Sequence, residues 1–321
     1  MKKYLPEGHN LFNSANRQAL ASPVSLAEAA ARGDILEAKV SLCDFEHNLI
    51  VDLGCMKGVI PRVEGAIGIA EGSVRDIALI SRVGKAVSFI ITGIKTGADG
   101  KLRAILSRRT AQEKCQKDYV SKLEIGRVID ARITRLEKFG AFCDIGCGIP
   151  ALLPIDAISV SRISHPADRF TAGDDIKVIV KSVDSEGRVS LSMRELLGTW
   201  EENAAMFSLG ETVSGIIRSV EEYGVFVELT PNLAGLAEPF NDAKPGMTAS
   251  CYIKNLLPEK MKVKLIIIDA FQEDYHKKTC DYFYSGEHIE KWRYSPKHCE
   301  KMVETVFTDA KDSPKLVPHL I

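Results

Sequence analysis

Two aromatic residues flanking a Gly-Ala pair, Phe139-Gly-Ala-Phe142, are the residues best suited to bind a ligand, and the chemistry that they suggest is stacking. Small and apolar residues alternate over positions 141–145, which predicts the inward face of a strand. Phe142, together with Asp144, then points outward, and Gly140 permits the tight bend that brings Phe139 beside it. Exposed rings of this kind stack unpaired bases, each worth about 1 to 3 kcal/mol.

Positively charged side chains are predicted to surround the two rings. By the same alternation, Lys177 and Lys181 lie opposite the apolar residues of one strand, and Arg188 lies opposite those of another. The segment 161–166 is expected to form a loop that adds further polar groups. The candidate contacts are Lys138, Arg162, His165, Lys177, Lys181 and Arg188. Rings flanked by cations are the pattern expected for a groove that binds single-stranded nucleic acid.

A buried position is the alternative for each ring, because phenylalanine in a strand more often belongs to a core than to a binding surface. The arrangement recurs, however, at Tyr223-Gly-Val-Phe226, where Val225 and Val227 alternate with Phe226. Since a second copy makes coincidence less credible, both pairs are predicted to be exposed. Tyr223 and Phe226 therefore join the candidate site.

An internal repeat predicts the elements that position these residues. Residues 126–142 align without a gap on residues 210–226, and a more divergent copy runs from Gly33 to Ser107. Each copy contains short runs of Val, Ile and Leu between Gly or Asp turns, which is typical of about five half-buried strands. A small sheet avoids exposed edges by closing into a barrel. We therefore predict a mainly β protein of tandem five-stranded OB-fold barrels.

Helices are predicted only at the joints and in a small α+β tail. A capping box at residues 25–28 opens a helix over 26–31, and residues 109–123 and 194–207 form linker helices. In the tail, residues 281–294 form a hairpin, and a helix capped at Ser295 follows with Pro296 at its first position. The predicted segments are 1–32 (N-terminal arm with a short helix), 33–108 (divergent first module), 109–123 (linker helix), 124–197 (middle module), 198–207 (linker), 208–270 (truncated third module) and 271–321 (C-terminal extension).

Charge is segregated along the chain. The composition, with 45% hydrophobic and 26% charged residues, is that of a folded globular protein, and its net charge is −1. Residues 75–135 nevertheless hold 14 Lys and Arg against 6 Asp and Glu, whereas residues 195–242 hold 1 against 9. This distribution predicts that one part meets phosphate and another meets solvent or a basic protein partner.

The middle copy resembles a known family. The pattern Gly-x-x-Ile-x-Ala-x-Ile-x-x-Leu-x-x-Phe-Gly-Ala-Phe over residues 126–142, with Arg188-Val-Ser-Leu-Ser, is similar to the S1 RNA-binding domain, and the tandem array is similar to short bacterial ribosomal S1 proteins. The resemblance implies RNA contacts by two aromatics, a His on the third strand, and an Asp and an Arg four residues apart. Phe139, Phe142, Asp184 and Arg188 match these positions, and Pro154 replaces the His.

The other copies depart from this pattern. In the third copy Tyr223 and Phe226 match, but Glu238 replaces the His and no loop corresponds to residues 161–168, so weaker RNA contact is expected. In the first copy residues 46–49 replace the aromatic pair, although Asp99 and Arg103 keep the spacing of the Asp and Arg. Whether these two copies bind RNA, or dock on a protein, stays open.

No enzyme motif with useful spacing is present, and the His and Cys residues of the tail fit no common metal pattern. We expect a non-catalytic protein without metal or cofactor that binds single-stranded messenger or ribosomal RNA and acts in translation. The resemblance implies the small ribosomal subunit as a partner. No membrane-spanning run or signal segment is visible, which predicts a cytoplasmic location. The alternative is a scaffold, or an accessory factor of RNA metabolism or transcription, in which the acidic third module binds a protein.

Overall fold

The computed structural model describes residues 4–97, 100–272 and 281–307, and its strands form three closed barrels and a two-stranded sheet. The first barrel comprises β1 (Leu36–Cys43), β2 (Leu49–Asp52), β3 (Lys57–Ile60), β4 (Ala86–Thr96) and β5 (Leu102–Ser107). The middle barrel comprises β6 (Val128–Glu137), β7 (Gly140–Asp144), β8 (Pro150–Pro154), β9 (Asp175–Val183) and β10 (Val189–Ser192). The third comprises β11 (Thr212–Glu221), β12 (Gly224–Thr230), β13 (Leu233–Ala237), β14 (Thr248–Leu257) and β15 (Lys262–Phe271).

All three barrels share one topology. The first three strands are neighbours in sequence order, and the fifth strand lies between the third and the fourth. Parallel pairing of the third and fifth strands, as between β3 and β5 or between β13 and β15, accompanies antiparallel pairing elsewhere in the ring. The prediction of tandem five-stranded OB-type barrels is confirmed. Closure removes the free edges that an open five-stranded sheet would expose.

The third barrel is complete, although its sequence predicts a truncated module. Five strands close it, and the shortening falls in the connection between its third and fourth strands. That connection covers residues 238–247, whereas its counterpart in the middle barrel covers residues 155–174. The missing residues therefore belong to a loop that lies outside the ring of strands.

Helices occupy the joints, with bounds that differ from the prediction. The α-helices are α1 (Ser14–Leu20), α2 (Pro23–Arg32), α3 (Ile77–Ile80), α4 (Arg108–Asp118) and α5 (Trp200–Ala204). The short 3-10 helices are Arg62–Glu64, Val120–Lys122, Ile155–Ala157, Pro166–Asp168, Arg194–Leu197 and Pro258–Lys260.

Two helix predictions need correction. The capping box of α2 pairs Ser22 with Ser25 rather than Ser25 with Glu28, because Pro23 suits the first turn and starts the helix earlier. The predicted helix over residues 194–207 is interrupted, since Gly198 has φ 84° and Thr199 caps a new helix. The predicted helix over 109–123 corresponds to α4 and the following 3-10 turn.

In the tail, the prediction of a hairpin and a helix beginning at Ser295 is wrong for the described residues 281–307. The short strands β16 (Lys291–Arg293) and β17 (Glu304–Val306) pair antiparallel instead. The Ser295 hydroxyl donates to the Lys301 carbonyl and accepts from the Val303 amide, which closes the connection as a loop. These bonds replace the N-terminal cap that the sequence suggests.

The chain divides into two compact units. The first contains the described residues of Met1–Leu123 with Asp130–Arg132 and Asp144–Pro150, and the second contains the rest of the described chain. The core of the first barrel lies in the first unit. In the second unit, Trp200, Trp292 and Tyr294 pack with the inward residues of the third barrel in one cluster, so the tail strand β16 shares that core.

Within the described ranges, no helix is long and apolar enough to cross a membrane. The same ranges contain no group of three His, Cys, Asp or Glu side chains placed to hold a metal ion. Two of the tail residues considered for such a site, His276 and Cys280, lie outside the described residues.

Candidate nucleic-acid interface

The aromatic pair of the middle barrel, Phe139 and Phe142, faces solvent. Phe139 is 56% exposed and Phe142 is half-buried, while their neighbours Ala141 and Cys143 are buried inside the barrel. The ring centroids lie 6.0 Å apart with an interplanar angle of 90°. This edge-to-face geometry is one that aromatic pairs prefer, and it leaves ring faces open on the outside of the barrel.

Glycine at position 140 is required by a close backbone approach. A Cβ there would lie 2.5 Å from the carbonyl oxygen of Leu153 on β8, well inside a normal contact. The Ile155 amide, just beyond β8, also donates to the Phe139 carbonyl at 3.0 Å. The turn between β6 and β7 is thus attached to β8, which holds the two rings in place.

Arg135 is a member of this site that sequence reasoning missed. Its guanidinium carbon lies 5.4 Å from the centroid of the Phe142 ring, within the range of a cation–π interaction. Its Nε is 2.7 Å from the Glu137 carboxylate, and its side chain is mostly exposed. The site therefore combines two rings with a cation positioned directly over one of them.

The strand registers of the other two barrels indicate why alternation missed Arg135. Simple alternation from Ile133 places residue 135 inward. In the first and third barrels, however, the register between the first two strands shifts at the equivalent point, Val40/Leu42 and Ile217/Ser219. An extra residue in one strand reverses inside and outside beyond it. The same register shift in two related barrels therefore indicates that the residue at this point of the middle barrel, Arg135, also faces outward.

The third barrel carries an aromatic pair of similar geometry but different charge. Tyr223 is 67% exposed, and its ring centroid lies 6.2 Å from that of Phe226 at 88°. Ser219 pairs with Phe226 and occupies the position of Arg135, while Glu222 occupies that of Lys138. The cations of the middle pair are thus replaced by a hydroxyl and a carboxylate.

Asp184 and Arg188 form a rigid turn between β9 and β10. The Arg188 Nε and its backbone amide both donate to the Asp184 carboxylate, at 2.7 Å and 2.9 Å. The hydrogen bond from Arg188 lowers the pKa of Asp184, and the same bond raises the pKa of Arg188. The Arg188 side chain, which also lies 2.9 Å from Glu186, remains 73% exposed.

Arg188 lies on the same side of the barrel as the aromatic pair. It precedes Ser190, which is paired with Leu152 of β8, and β8 in turn neighbours β7. Two strand spacings separate β7 from β10, about 10 Å at the usual distance between strands. Phe142 and Arg188 can therefore contact one bound chain.

Lys177 is exposed on β9, which, like β10, lies two strands from β7 around the ring. Its place on the surface beside the rings stays a prediction. The Lys177 amide donates to the Tyr282 hydroxyl of the tail, and Ile179, two residues on, is fully buried. Alternation distinguishes inside from outside, but it does not say toward which side of a closed barrel an outward residue points. Lys181 lies half-buried on the same strand.

The remaining predicted contacts lie in turns. Lys138 is exposed immediately before Phe139, and Arg162 is exposed in the connection between β8 and β9. The His165 Nδ1 accepts from the Ala167 amide at 3.0 Å and caps the short helix Pro166–Asp168. His165 therefore has a structural role in its loop.

Asp144 is buried, which corrects the expectation that it shares the exposed face of Phe142. It is 3% exposed, and its carboxylate accepts from the amides of Glu7, Gly146 and Gly148 at 2.7, 2.8 and 2.9 Å. Burial and then the charge of Glu7 raise the pKa of Asp144 to about 7. The side chain points out of the barrel, as alternation predicts, but the N-terminal arm covers it.

The equivalent residue of the third barrel, Glu228, is buried in the same way by different groups. Arg169 contacts both of its oxygens at 2.6 Å, and Arg218 lies 2.8 Å away. In both barrels, then, the residue two positions after the outward aromatic joins the barrel to a covering segment. The exposed surface around each aromatic pair therefore ends at Asp144 in the middle barrel and at Glu228 in the third barrel.

Comparisons with known proteins identify a family and several relatives that this chain resembles. Residues 122–194 fit the family described as S1 RNA binding domain, and this segment contains the whole middle barrel. The chain is 34% identical over 212 residues to small ribosomal subunit protein bS1 of Leuconostoc lactis, covering 64% of this chain and 47% of that protein. It is 30% identical over 267 residues to the bS1 homolog of Bacillus subtilis (strain 168), covering 76% and 67%. It is 29% identical over 259 residues to bS1 of Staphylococcus aureus (strain COL), covering 75% and 63%. The chain thus spans between about half and two thirds of the length of these relatives.

Proposed function

We propose that this chain, which belongs to the family of the small ribosomal subunit protein bS1, binds single-stranded RNA on the outer surface of its middle barrel. We also propose that it catalyses no reaction on that RNA. The observation that carries the proposal is the exposed, perpendicular pair Phe139 and Phe142 with the Arg135 guanidinium over one ring. In water, an apolar ring face next to a cation favours a ligand that is both flat and negatively charged. An unpaired nucleotide has both properties.

Each group has a separate role in this proposal. The rings stack on bases, which requires bases that are not already stacked in a duplex. Arg188 and Lys138 contribute positive charge at opposite ends of the surface and contact phosphates. Arg135 contacts a phosphate, or stacks its guanidinium plane on a base beside Phe142. Because stacking and phosphate contacts discriminate poorly among bases, sequence preference is modest.

The place of action follows from the names of the relatives. They are proteins of the small ribosomal subunit, so the RNA is proposed to be messenger or ribosomal RNA at that subunit, in the cytoplasm. The alternative, a scaffold in which the acidic third module binds a protein, is less favoured. One acidic residue of that module, Glu228, is buried in an ion pair with Arg169 and is not displayed to a partner.

Replacing both rings of the middle pair by alanine tests the proposal. Since each stacked base is worth about 1 to 3 kcal/mol, Phe139→Ala with Phe142→Ala should weaken binding of an oligouridylate by about 2 to 6 kcal/mol, measured by fluorescence anisotropy. The matched variant Tyr223→Ala with Phe226→Ala removes the equivalent rings of the third barrel and should have a smaller effect. Unchanged affinity of the Phe139 and Phe142 variant, with unfolding unaltered, rejects the proposal.

A further inference from the structure

Two buried cysteines of the first compact unit lie close to each other. Cys115 on α4 is fully buried, and Cys147, in the turn after β7, is 3% exposed. The Cys115 Sγ lies 3.1 Å from the point that a Cβ on Gly146 would occupy, so this thiol packs directly against the turn. Because Gly146 immediately precedes Cys147, the turn brings the second thiol beside the first.

Backbone contacts fix the positions of both cysteines. One helical turn before Cys115, the Gln112 side-chain amide donates to the carbonyls of Cys147 and Gly148, at 3.2 and 3.3 Å. The Cys147 amide donates to the Leu5 carbonyl at 3.1 Å, and Cys147 itself has a left-handed φ of 49°. Helix α4 and the turn at residues 146–148 are therefore held against each other without a covalent bond.

The pKa of Cys115 reflects this neighbour. The interaction with the Cys147 thiol is the largest cause that raises the pKa of Cys115, and burial is the second. A raised pKa keeps a thiol protonated, and a protonated thiol reacts slowly because the thiolate is the nucleophile. The pair is therefore expected to resist general alkylation and to react only with an oxidant that can reach it.

A cleft gives small molecules a route to Cys147. It has a volume of about 570 Å³ and lies between the N-terminal arm, α1, α2 and the start of β1. Cys147 lines this cleft together with Tyr4 and Leu5 of the arm. Hydrogen peroxide is hardly larger than water and fits such a cleft, whereas the low exposure of Cys147 excludes a bulky reagent.

We propose that Cys115 and Cys147 form a site of reversible oxidation, at which a peroxide converts the two thiols into an intramolecular disulfide. One cysteine, as its thiolate, attacks a peroxide oxygen and becomes a sulfenic acid, while the O–O bond breaks and the first water leaves. The other thiolate attacks the sulfenic sulfur, the S–S bond forms, and the second water leaves. Two thiols are oxidised, one peroxide is reduced, and both thiol protons end in water.

The disulfide joins α4 to the turn after β7 and closes a loop of about thirty residues. A cross-link of this kind stabilises a protein mainly by restricting its unfolded chain. The melting temperature of the oxidised first unit is therefore expected to rise by about 5 to 10 °C. The bond involves neither Phe139 nor Phe142, so this inference is independent of the proposed RNA binding.

The test treats the full chain with hydrogen peroxide, blocks the remaining thiols with iodoacetamide, and maps unreduced peptides by mass spectrometry. A peptide containing Cys115 should be linked to one containing Cys147, and dithiothreitol should separate them. Cys115→Ser and Cys147→Ser should each abolish the rise in melting temperature. The matched control, Cys43→Ser with Cys55→Ser, removes two half-buried thiols of the first barrel and should keep both the link and the rise.

The absence of the linked peptide, at a peroxide concentration that oxidises Cys43 and Cys55, overturns the inference. A link from Cys115 or Cys147 to a third cysteine also overturns it, and so does a rise in melting temperature that survives Cys147→Ser. The peptide map is made on the native chain, so it decides the question even where a serine variant fails to fold.

Discussion

The aromatic pairs of the middle and third barrels differ in the individual side chains beside them. Phe142 and Phe226 each pair with an aromatic ring, at 6.0 and 6.2 Å, but of these two rings it is Phe142 that has an arginine over it in the described structure. A cation at an exposed ring contributes about 0.5 to 1 kcal/mol, and it also supplies charge for a phosphate. The difference between the middle and third barrels as RNA-binding surfaces is therefore expected to depend on Arg135 and Ser219.

Arg135→Ala should weaken RNA binding by about 1 kcal/mol, because both the ring contact and a charge are lost. In a double-mutant cycle with Phe142→Ala, the two effects should be non-additive, since the guanidinium acts through the ring. Ser219→Arg is the reciprocal variant and should strengthen binding at the third barrel. Strict additivity of Arg135→Ala and Phe142→Ala would show that Arg135 does not cooperate with the ring. Affinities from fluorescence anisotropy decide among these outcomes.

A strand determines whether a side chain points into or out of the barrel, and the segments that pack over the strand determine whether that side chain is exposed. On β7, Phe142 and Asp144 both point out of the barrel, yet the ring meets solvent and the carboxylate meets the amide of Glu7. Burial raises the pKa of Glu7 as well, but the charge and hydrogen bonds of Arg108, the charge of Arg82 and the Ser88 amide together outweigh it, so the pKa of Glu7 is lowered overall. The carboxyl groups of Glu7 and Asp144 consequently titrate in different pH ranges.

The pH dependence of stability follows from these shifts. Folding raises the pKa of Asp144 from 3.8 to about 7, so the folded state binds this proton more tightly and stability falls as pH rises between those values. Glu7 has the opposite sign, and its contribution is lost only as pH falls below the ordinary value of 4.5. Asp144→Asn should lower overall stability, because the Glu7 amide loses its acceptor. It should also reduce the fall in stability between pH 3.8 and about 7.

Calorimetric melts of the native chain and of Asp144→Asn, taken across this pH range, measure both effects. Asp184→Asn serves as the control, since the pKa of Asp184 is lowered by Arg188 and its titration lies below the window. A decline that persists unchanged in Asp144→Asn would assign the pH dependence to another group.

At the scale of the whole molecule, buried polar contacts join separate elements within the second unit. The Arg169 and Glu228 pair connects the β8–β9 connection to β12, and the Asn232 side-chain amide donates to the carbonyls of Arg194 and Gly198. Both tryptophans of the chain, Trp200 and Trp292, lie in the hydrophobic core of this unit. The middle connection, the third barrel and the tail are therefore expected to unfold together.

Glu228→Gln should lower the free energy of unfolding of the second unit by about 3 to 5 kcal/mol, because it leaves the buried Arg169 charge without its carboxylate. Urea denaturation followed by tryptophan fluorescence reports this unit directly. The control Glu238→Gln breaks an exposed pair with Lys254 and should cost less than about 1 kcal/mol. Equal effects of the two variants would contradict a structural role for the buried pair.

The sequence alone determined most of the residues that face into each barrel, with Arg135 an exception, since alternation has a period of two and depends only on local backbone geometry. Ala141, Cys143 and Val225 were predicted inward, Phe142 and Phe226 outward, and the repeat implied the number of barrels. Only the tertiary structure decided which outward residues share a surface. Arg135 lies over the Phe142 ring although alternation places it inward, and a covering arm buries Asp144. Both outcomes depend on how strands and segments pack together, which no local pattern records.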